Sequence, residues 1–395
     1  MTTNWTQRYA SRMSGMVPSD IRELAKAMRQ PDVISFGGGI PEPALFPHEV
    51  VADSFQRILG DAKSARIALQ YSESGGYMPL REWLAGYMGS MGAPCGADNI
   101  LITSGSQQGL DFVGRLLLSP GDTVLVEMPT YIGALRAFDA CEARYGALPG
   151  PGNPTPVPAK FGYLMPDFQN PQGTCMTLAE REDLLDRAAA LDLPLLEDSA
   201  YEKLRYEGTP VPPLIALEAK RAGGIDNGRV IYTGTFSKTI VPSLRVGWLV
   251  APAPVIAKLI LIKQAADLHT STLNQMVMMD LAQRMLNEDH LGMIRSAYKR
   301  RRDVTLAALQ AHMPPGATWT KPEGGLYIWV TLPPGVDGTA FAAKALTENR
   351  VAVVSGKSCY AMNPVANTIR LSFSLIPEDK AEEGIRRLAE LLRRI

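Results

Sequence analysis

The chain has 395 residues, 46% hydrophobic and 20% charged, which is enough apolar material for the cores of two domains and too little charge for a disordered chain. Forty lysines and arginines balance forty aspartates and glutamates, so a net charge of +0 offers no electrostatic case for nucleic acid or an anionic membrane as partner. Cys95, Cys141, Cys175 and Cys359 lack paired spacing and only four histidines occur, which argues against a disulfide framework and a zinc site.

From the N-terminus, the first nine residues lack the basic start and apolar stretch of a secretory signal, and a cytoplasmic location is expected. Residues 19–28 predict an amphipathic helix with Ile21, Leu24, Ala25 and Met28 on one face and Arg22 beside it. Two glycine-rich segments follow, Ser35-Phe-Gly-Gly-Gly39 and Gln70-Tyr71-Ser-Glu-Ser-Gly-Gly. Between roughly residues 50 and 265 strand patterns alternate with helix patterns, the mark of a mostly parallel sheet covered on both faces.

Within that region, residues 99–109 read as a strand, a tight turn and a helix start, continued by Leu110, Val113 and Leu117. The N–H groups and dipole of such a start favour an anion. The strand pattern 123–127 leads to Tyr131, and the Pro-rich piece 148–158 has no periodicity and reads as a surface loop. Phe168-Gln-Asn170-Pro-Gln-Gly173 is a turn signal, after which Thr177 and Glu180 form a capping box. An apolar run through Leu193, Leu195 and Leu196 ends at Asp198, which opens Asp-Ser-Ala-Tyr201. Val230 and Ile231 begin another buried strand, which runs into Tyr232-Thr-Gly-Thr235-Phe-Ser237-Lys238 and then Arg245.

The apolar stretch 246–262 is broken by Pro252, Pro254 and Lys258 and fails as a membrane span. A long helical stretch from about 274 to 313 carries Lys299-Arg-Arg-Arg302, read as a solvated face. Arg370 then lies in an apolar strand, and a last helix is expected to bury Ile385, Leu388 and Leu392.

The chemistry concentrates around Lys238. Two hydroxyls and an arginine fork suit a phosphate dianion, and a lysine beside them suits an aldehyde that forms a Schiff base. Pyridoxal 5'-phosphate carries both groups. Its pyridine nitrogen needs a carboxylate to stay protonated, and Asp198 is the residue placed to supply one. At about 4 Å such a pair is worth about 4 kcal/mol at an effective dielectric of about 20, and an opposite charge so close moves a pKa by ~1–3 units.

In this order and spacing, Asp198, Tyr201, Lys238 and Arg245 resemble the fold type I pyridoxal-phosphate-dependent aminotransferases of class I/II, along nearly the whole chain. The subgroup that the chain resembles is that of 2-aminoadipate and kynurenine aminotransferases. The resemblance implies an α/β fold, with a large domain whose mostly parallel seven-stranded sheet is sandwiched by helices, and a smaller α+β domain. An N-terminal segment 1–45 would pack on the small domain, 46–275 would bind the cofactor, and 276–395 would follow a long linking helix. Lys238 would hold the cofactor, Arg245, Thr235 and Ser237 its phosphate, and Gly105, Ser106 and Gln107 the phosphate cup. Asp198 would pair with the ring nitrogen, Tyr201 and Asn170 would contact the phenolic oxygen, and Tyr131 would stack on the ring. Tyr71 would reach across a homodimer to the neighbouring cofactor.

Arg370 would clamp the substrate α-carboxylate, Gly38 and Gly39 would form the entrance, and Arg22 would meet a distal carboxylate. The implied reaction moves an amino group from an L-amino acid to a 2-oxo acid, 2-oxoglutarate foremost, in ping-pong order. Ser372 and the Val354-Ser-Gly356 segment depart from the family pattern, which bears on substrate preference more than on mechanism. The same cofactor cage also serves lyases and decarboxylases, and some transcription regulators fuse it to a DNA-binding module that needs a basic N-terminal domain.

Overall fold

Short apolar runs bounded by turn residues become strands, and their order in the sheet decides where the chemistry-bearing loops emerge. The computed structural model describes residues 2–14, 16, 30, 32–150, 153 and 156–395. After β1 (Ile34–Ser35) come β2 (Ile100–Thr103), β3 (Thr123–Val126), β4 (Arg144–Ala147), β5 (Phe161–Leu164), β6 (Leu195–Ser199), β7 (Val230–Thr235) and β8 (Gly247–Val250). Strands β2 to β8 form one sheet in the order β2-β8-β7-β6-β5-β3-β4. Neighbours from β7 to β4 pair in parallel, and β8 runs antiparallel to both β2 and β7. Every residue of β2, β5, β6, β7 and β8 is buried, as a sheet with helices on both faces requires.

The pleat sorts the core into two layers. Leu101 and Leu249 face Leu110 and Val113 of the helix Ser106–Leu117, whereas Ile100, Ile102, Trp248 and Val250 face Leu80 and Leu84 of the helix Met78–Ser90. Burying each such leucine or valine is worth about 1.5–3 kcal/mol.

The C-terminal part adds β9 (Thr318–Trp319), β10 (Tyr327–Thr331), β11 (Val351–Ala352), β12 (Val354–Ser355) and β13 (Thr368–Ser372). Four of these form an antiparallel sheet in the order β12-β13-β10-β9, and β11 pairs in parallel with β1, Ile34 opposite Val351. The N-terminal segment is stitched further by Phe36 N–H to the Ala352 carbonyl at 2.8 Å and Ser372 N–H to the Phe36 carbonyl at 2.7 Å. That stitching delivers Gly37 to Gly39 to the seam between the two sheets. The last helix, Glu378–Leu392, buries Ile385, Leu388 and Leu392 as expected, and Gly384 is bare because a Cβ there would lie 2.6 Å from the Phe36 ring.

Two expectations need correction. The stretch 274–313 is not one helix but two, Thr272–Met285 and Glu288–His312. The break comes where the Asn287 side chain caps the second helix, accepting the His290 N–H at 3.0 Å, with Glu288 and Asp289 in its first turn. The basic run 299–302 is a solvated face only in its first half, where Lys299 and Arg300 reach solvent and Arg301 and Arg302 turn inward. Arg302 is only 4% exposed, donates to the Glu207 carboxylate at 2.8 Å and the Pro322 carbonyl at 2.8 Å, and lies over the Tyr206 ring. The predicted helix 19–28 and its Arg22 lie outside the described residues. Among the described residues no helix is long and apolar enough to cross a membrane.

Candidate active site

Asp198 and Lys238 reach the same space because β6 and β7 are parallel neighbours. Asp198 stands opposite Thr233, and the chain leaves β7 after Thr235 to carry Ser237 and Lys238 beyond the strand end. Carboxyl ends of parallel strands are where open α/β sheets bind ligands. Gly39, Ser106, Gln107, Tyr131, Asn170, Asp198, Tyr201, Thr235, Ser237, Lys238, Arg245 and Arg370 line one cavity of about 350 Å³ there. Gly105 backs it. Tyr71 does not reach it and is 78% exposed.

The two charges at its floor are tuned in opposite directions. Burial, then the neighbouring Arg245 and Arg370, lowers Lys238 to about 8, and its Nζ donates to the Gly39 carbonyl at 3.2 Å. Burial raises Asp198 to about 6 against a hydrogen bond from the Tyr163 hydroxyl, which reaches Oδ2 at 2.9 Å. The other oxygen, Oδ1, is buried with no hydrogen-bond partner. A carboxylate oxygen left bare costs about 1–3 kcal/mol and marks a place for a donor to come.

At one end the cavity is built for an anion. The helix Ser106–Leu117 starts there with no side-chain cap, its N-cap Gly105 at φ +82°, a left-handed conformation that glycine adopts freely. A Cβ on Gly105 would lie 2.3 Å from the Arg245 guanidinium, so the glycine also lets that cation close in. Thr235 Oγ1 donates to Ser237 Oγ at 2.9 Å, which sets both hydroxyls side by side. The Gln107 side chain is otherwise engaged, donating to the Gly133 carbonyl at 2.7 Å and accepting the Tyr131 hydroxyl at 3.4 Å.

At the other end Arg370, on β13 and 3% exposed, donates to Asn170 Oδ1 at 2.9 Å and the Gly37 carbonyl at 3.3 Å, while its buried Nε has no partner. The cavity therefore presents an amine and a carboxylate between an anion-binding helix start and an underused guanidinium.

Sequence reading missed three contributors. Tyr163 reaches Asp198 from β5, Tyr327 on β10 lines the cavity beneath Arg370, and Glu127, raised to about 8 by burial, accepts the Met165 N–H at 2.8 Å. Tyr163 and Tyr327 sit in ordinary strand patterns and Glu127 just past one, and of the groups around them only Asp198 and Arg370 carried a local signal. A larger cleft of about 720 Å³, around Tyr87, Glu202, Arg205 and Arg295, contains none of the expected residues, so convergence of chemistry rather than size marks the site.

Known proteins agree in sequence and shape. The model of the family "Aminotransferase class I and II" matches residues 31–145 and 164–388. Aromatic-amino-acid aminotransferase 1 of Thermococcus litoralis is 39% identical, over 99% of this chain and 95% of its own. The Thermus thermophilus alpha-aminoadipate aminotransferase, solved with N-(5'-phosphopyridoxyl)-L-leucine, is 36% identical and superposes with a TM-score of 0.89 over 99% of both chains. The Pyrococcus horikoshii kynurenine aminotransferase is 40% identical, with a TM-score of 0.91 over 99% of this chain and 98% of that one.

Proposed function

Because this chain belongs to the aminotransferase class I and II family and is a pyridoxal-phosphate-dependent aminotransferase of fold type I, we propose that it moves the amino group of a broad set of L-amino acids to 2-oxoglutarate, with Lys238 as the residue that holds the cofactor. The observation that carries this reading is the bare Oδ1 of Asp198 in the same cavity as the depressed amine of Lys238. The residues fit the group. Asp198 offers an acceptor to a protonated ring nitrogen, Arg245, Thr235, Ser237 and the start of the helix Ser106–Leu117 offer donors to a phosphate, and Tyr131 offers a ring face. When bound, pyridoxal phosphate supplies an electron-accepting ring that stabilises negative charge developing at the substrate α-carbon.

The chain's own residues do the rest. Arg370 grips the α-carboxylate with the donors that Asn170 and Gly37 engage here, and its unpartnered Nε adds another. Lys238 takes the α-proton and returns it, a task helped by a pKa already near neutrality. Asn170 and Tyr201 address the cofactor's phenolic oxygen, and Gly39 forms the entrance.

Relatives named for aromatic amino acids, aminoadipate and kynurenine support a broad donor class, with Arg22 proposed to meet a distal carboxylate. We also propose a cytoplasmic homodimer in which the exposed Tyr71 completes the neighbouring site, and a division at 1–45, 46–275 and 276–395. A matrix of amino donors against 2-oxo acid acceptors tests the function. Stoichiometric 2-oxo acid from the donor supports it, and release of carbon dioxide or ammonia in its place contradicts it.

A further inference from the structure

The hydroxyl of Tyr327 stands where three parts of the site meet. It lies 3.2 Å from the Tyr201 hydroxyl and 3.5 Å from the Gly39 carbonyl. The two tyrosine rings meet edge to face with centroids 5.8 Å apart, and the Arg370 guanidinium lies 4.5 Å from the Tyr327 centroid. Glycine at 39 is what admits this hydroxyl, since a Cβ there would lie 2.0 Å from its oxygen. Both tyrosines are buried, at 4% and 2% exposure.

A phenol has one proton to give. Of the two acceptors open to Tyr327, the Tyr201 oxygen at 3.2 Å is the nearer, while the Gly39 carbonyl at 3.5 Å lies beyond the usual length of a hydroxyl hydrogen bond. If Tyr327 donates to Tyr201, Tyr201 cannot donate back, and its own proton is left for the cavity. Burial, followed by the neighbouring Tyr327, pushes the Tyr201 phenol well above its ordinary range, which favours the protonated form that can donate.

We propose that Tyr327 is a positioning residue: by donating to Tyr201 it turns the Tyr201 proton into the cavity, toward the cofactor's phenolic oxygen. This rests on the reading of Tyr201 given under Proposed function. Two hydrogen bonds in series polarise one another, so Tyr201 is a stronger donor than a tyrosine acting alone. A stronger donor favours negative charge on the phenolic oxygen, and the unit formed by Lys238 and the cofactor then loses its proton at lower pH. The ring of Tyr327 keeps a separate task, supporting the guanidinium of Arg370.

The test is a pH titration of the visible absorbance of the protein loaded with pyridoxal phosphate, for wild type, Tyr327→Phe, Tyr201→Phe and the double variant. Tyr327→Phe keeps the ring and is expected to raise the midpoint by about half a unit, roughly threefold in proton affinity. Tyr201→Phe should raise it further, and the double variant no further than Tyr201→Phe alone. A midpoint that moves in Tyr201→Phe but not in Tyr327→Phe overturns the role of Tyr327 and leaves that of Tyr201 standing. Additive shifts in the double variant also overturn it, since Tyr327 would then act by another route. No shift in either single variant overturns the Tyr201 reading and this one with it. Should Tyr327→Phe fail to fold, Gly39→Ala displaces the same hydroxyl by crowding, and an unchanged midpoint there contradicts the proposal.

Discussion

Asp198 and Lys238 face one cavity from the ends of adjacent parallel strands, the carboxylate held on one side by Tyr163 and bare on the other. The protein thus keeps a buried acid short of one hydrogen bond. That arrangement costs the cofactor-free protein stability and suits it to a cationic guest.

The cost is measurable as pH dependence. Asp198 titrates at about 6 in the folded chain against an ordinary 3.8, so the stability it contributes is present below about 4 and is lost as pH rises through about 6. The penalty at neutral pH approaches about 3 kcal/mol. Cofactor-free Asp198→Asn should therefore melt higher than wild type at pH 7.5, with the gap closing near pH 4, while the loaded variant loses turnover. Thermal unfolding at the two pH values checks this, and equal melting temperatures at pH 7.5 would count against it.

Gly105→Ala puts a methyl group 2.3 Å from the Arg245 guanidinium on a backbone held at φ +82°. We expect cofactor affinity to fall about tenfold or more, equivalent to about 1.4 kcal/mol, with the melting temperature of the cofactor-free protein changing less. Equilibrium titration with pyridoxal phosphate measures it.

Arg370→Lys keeps the charge and loses the planar fork. Because donor and acceptor share the α-carboxylate, kcat/KM should fall on the order of a hundredfold in both half-reactions. Single-turnover kinetics with an amino acid, and separately with a 2-oxo acid, distinguishes this from a loss confined to one substrate.

Arg302→Met removes a buried guanidinium that ties Glu207, Asp303 and the Pro322 carbonyl together. Since Glu207 and Asp303 are half exposed and can turn to water, the expected loss is about 1–3 kcal/mol of stability with kcat unchanged. Chemical denaturation and steady-state kinetics on the same preparation test both halves.

Much of the site was legible because its signal is local. Thr235, Ser237, Lys238 and Arg245 fall within one short stretch, and Asp198 ends an apolar run whose strand pairs directly with theirs. What stayed hidden is non-local. Tyr163 meets Asp198 across 35 positions and Tyr327 meets Tyr201 across 126, each from a strand pattern that any buried tyrosine would satisfy. Arg302 was misread for the same reason, since a basic run on a helix looks solvated until Glu207 arrives from 95 positions away. The helix break at 286–287 was legible in principle, because Asn287 followed by Glu288 and Asp289 is a cap.

The attachment point is the claim on which the rest depends. Borohydride reduction of the loaded protein, followed by peptide mapping by mass spectrometry, fixes the cofactor covalently wherever it is held. The account predicts a phosphopyridoxyl group on Lys238 and none after Lys238→Ala, and a modified peptide containing any other lysine in place of this one contradicts it.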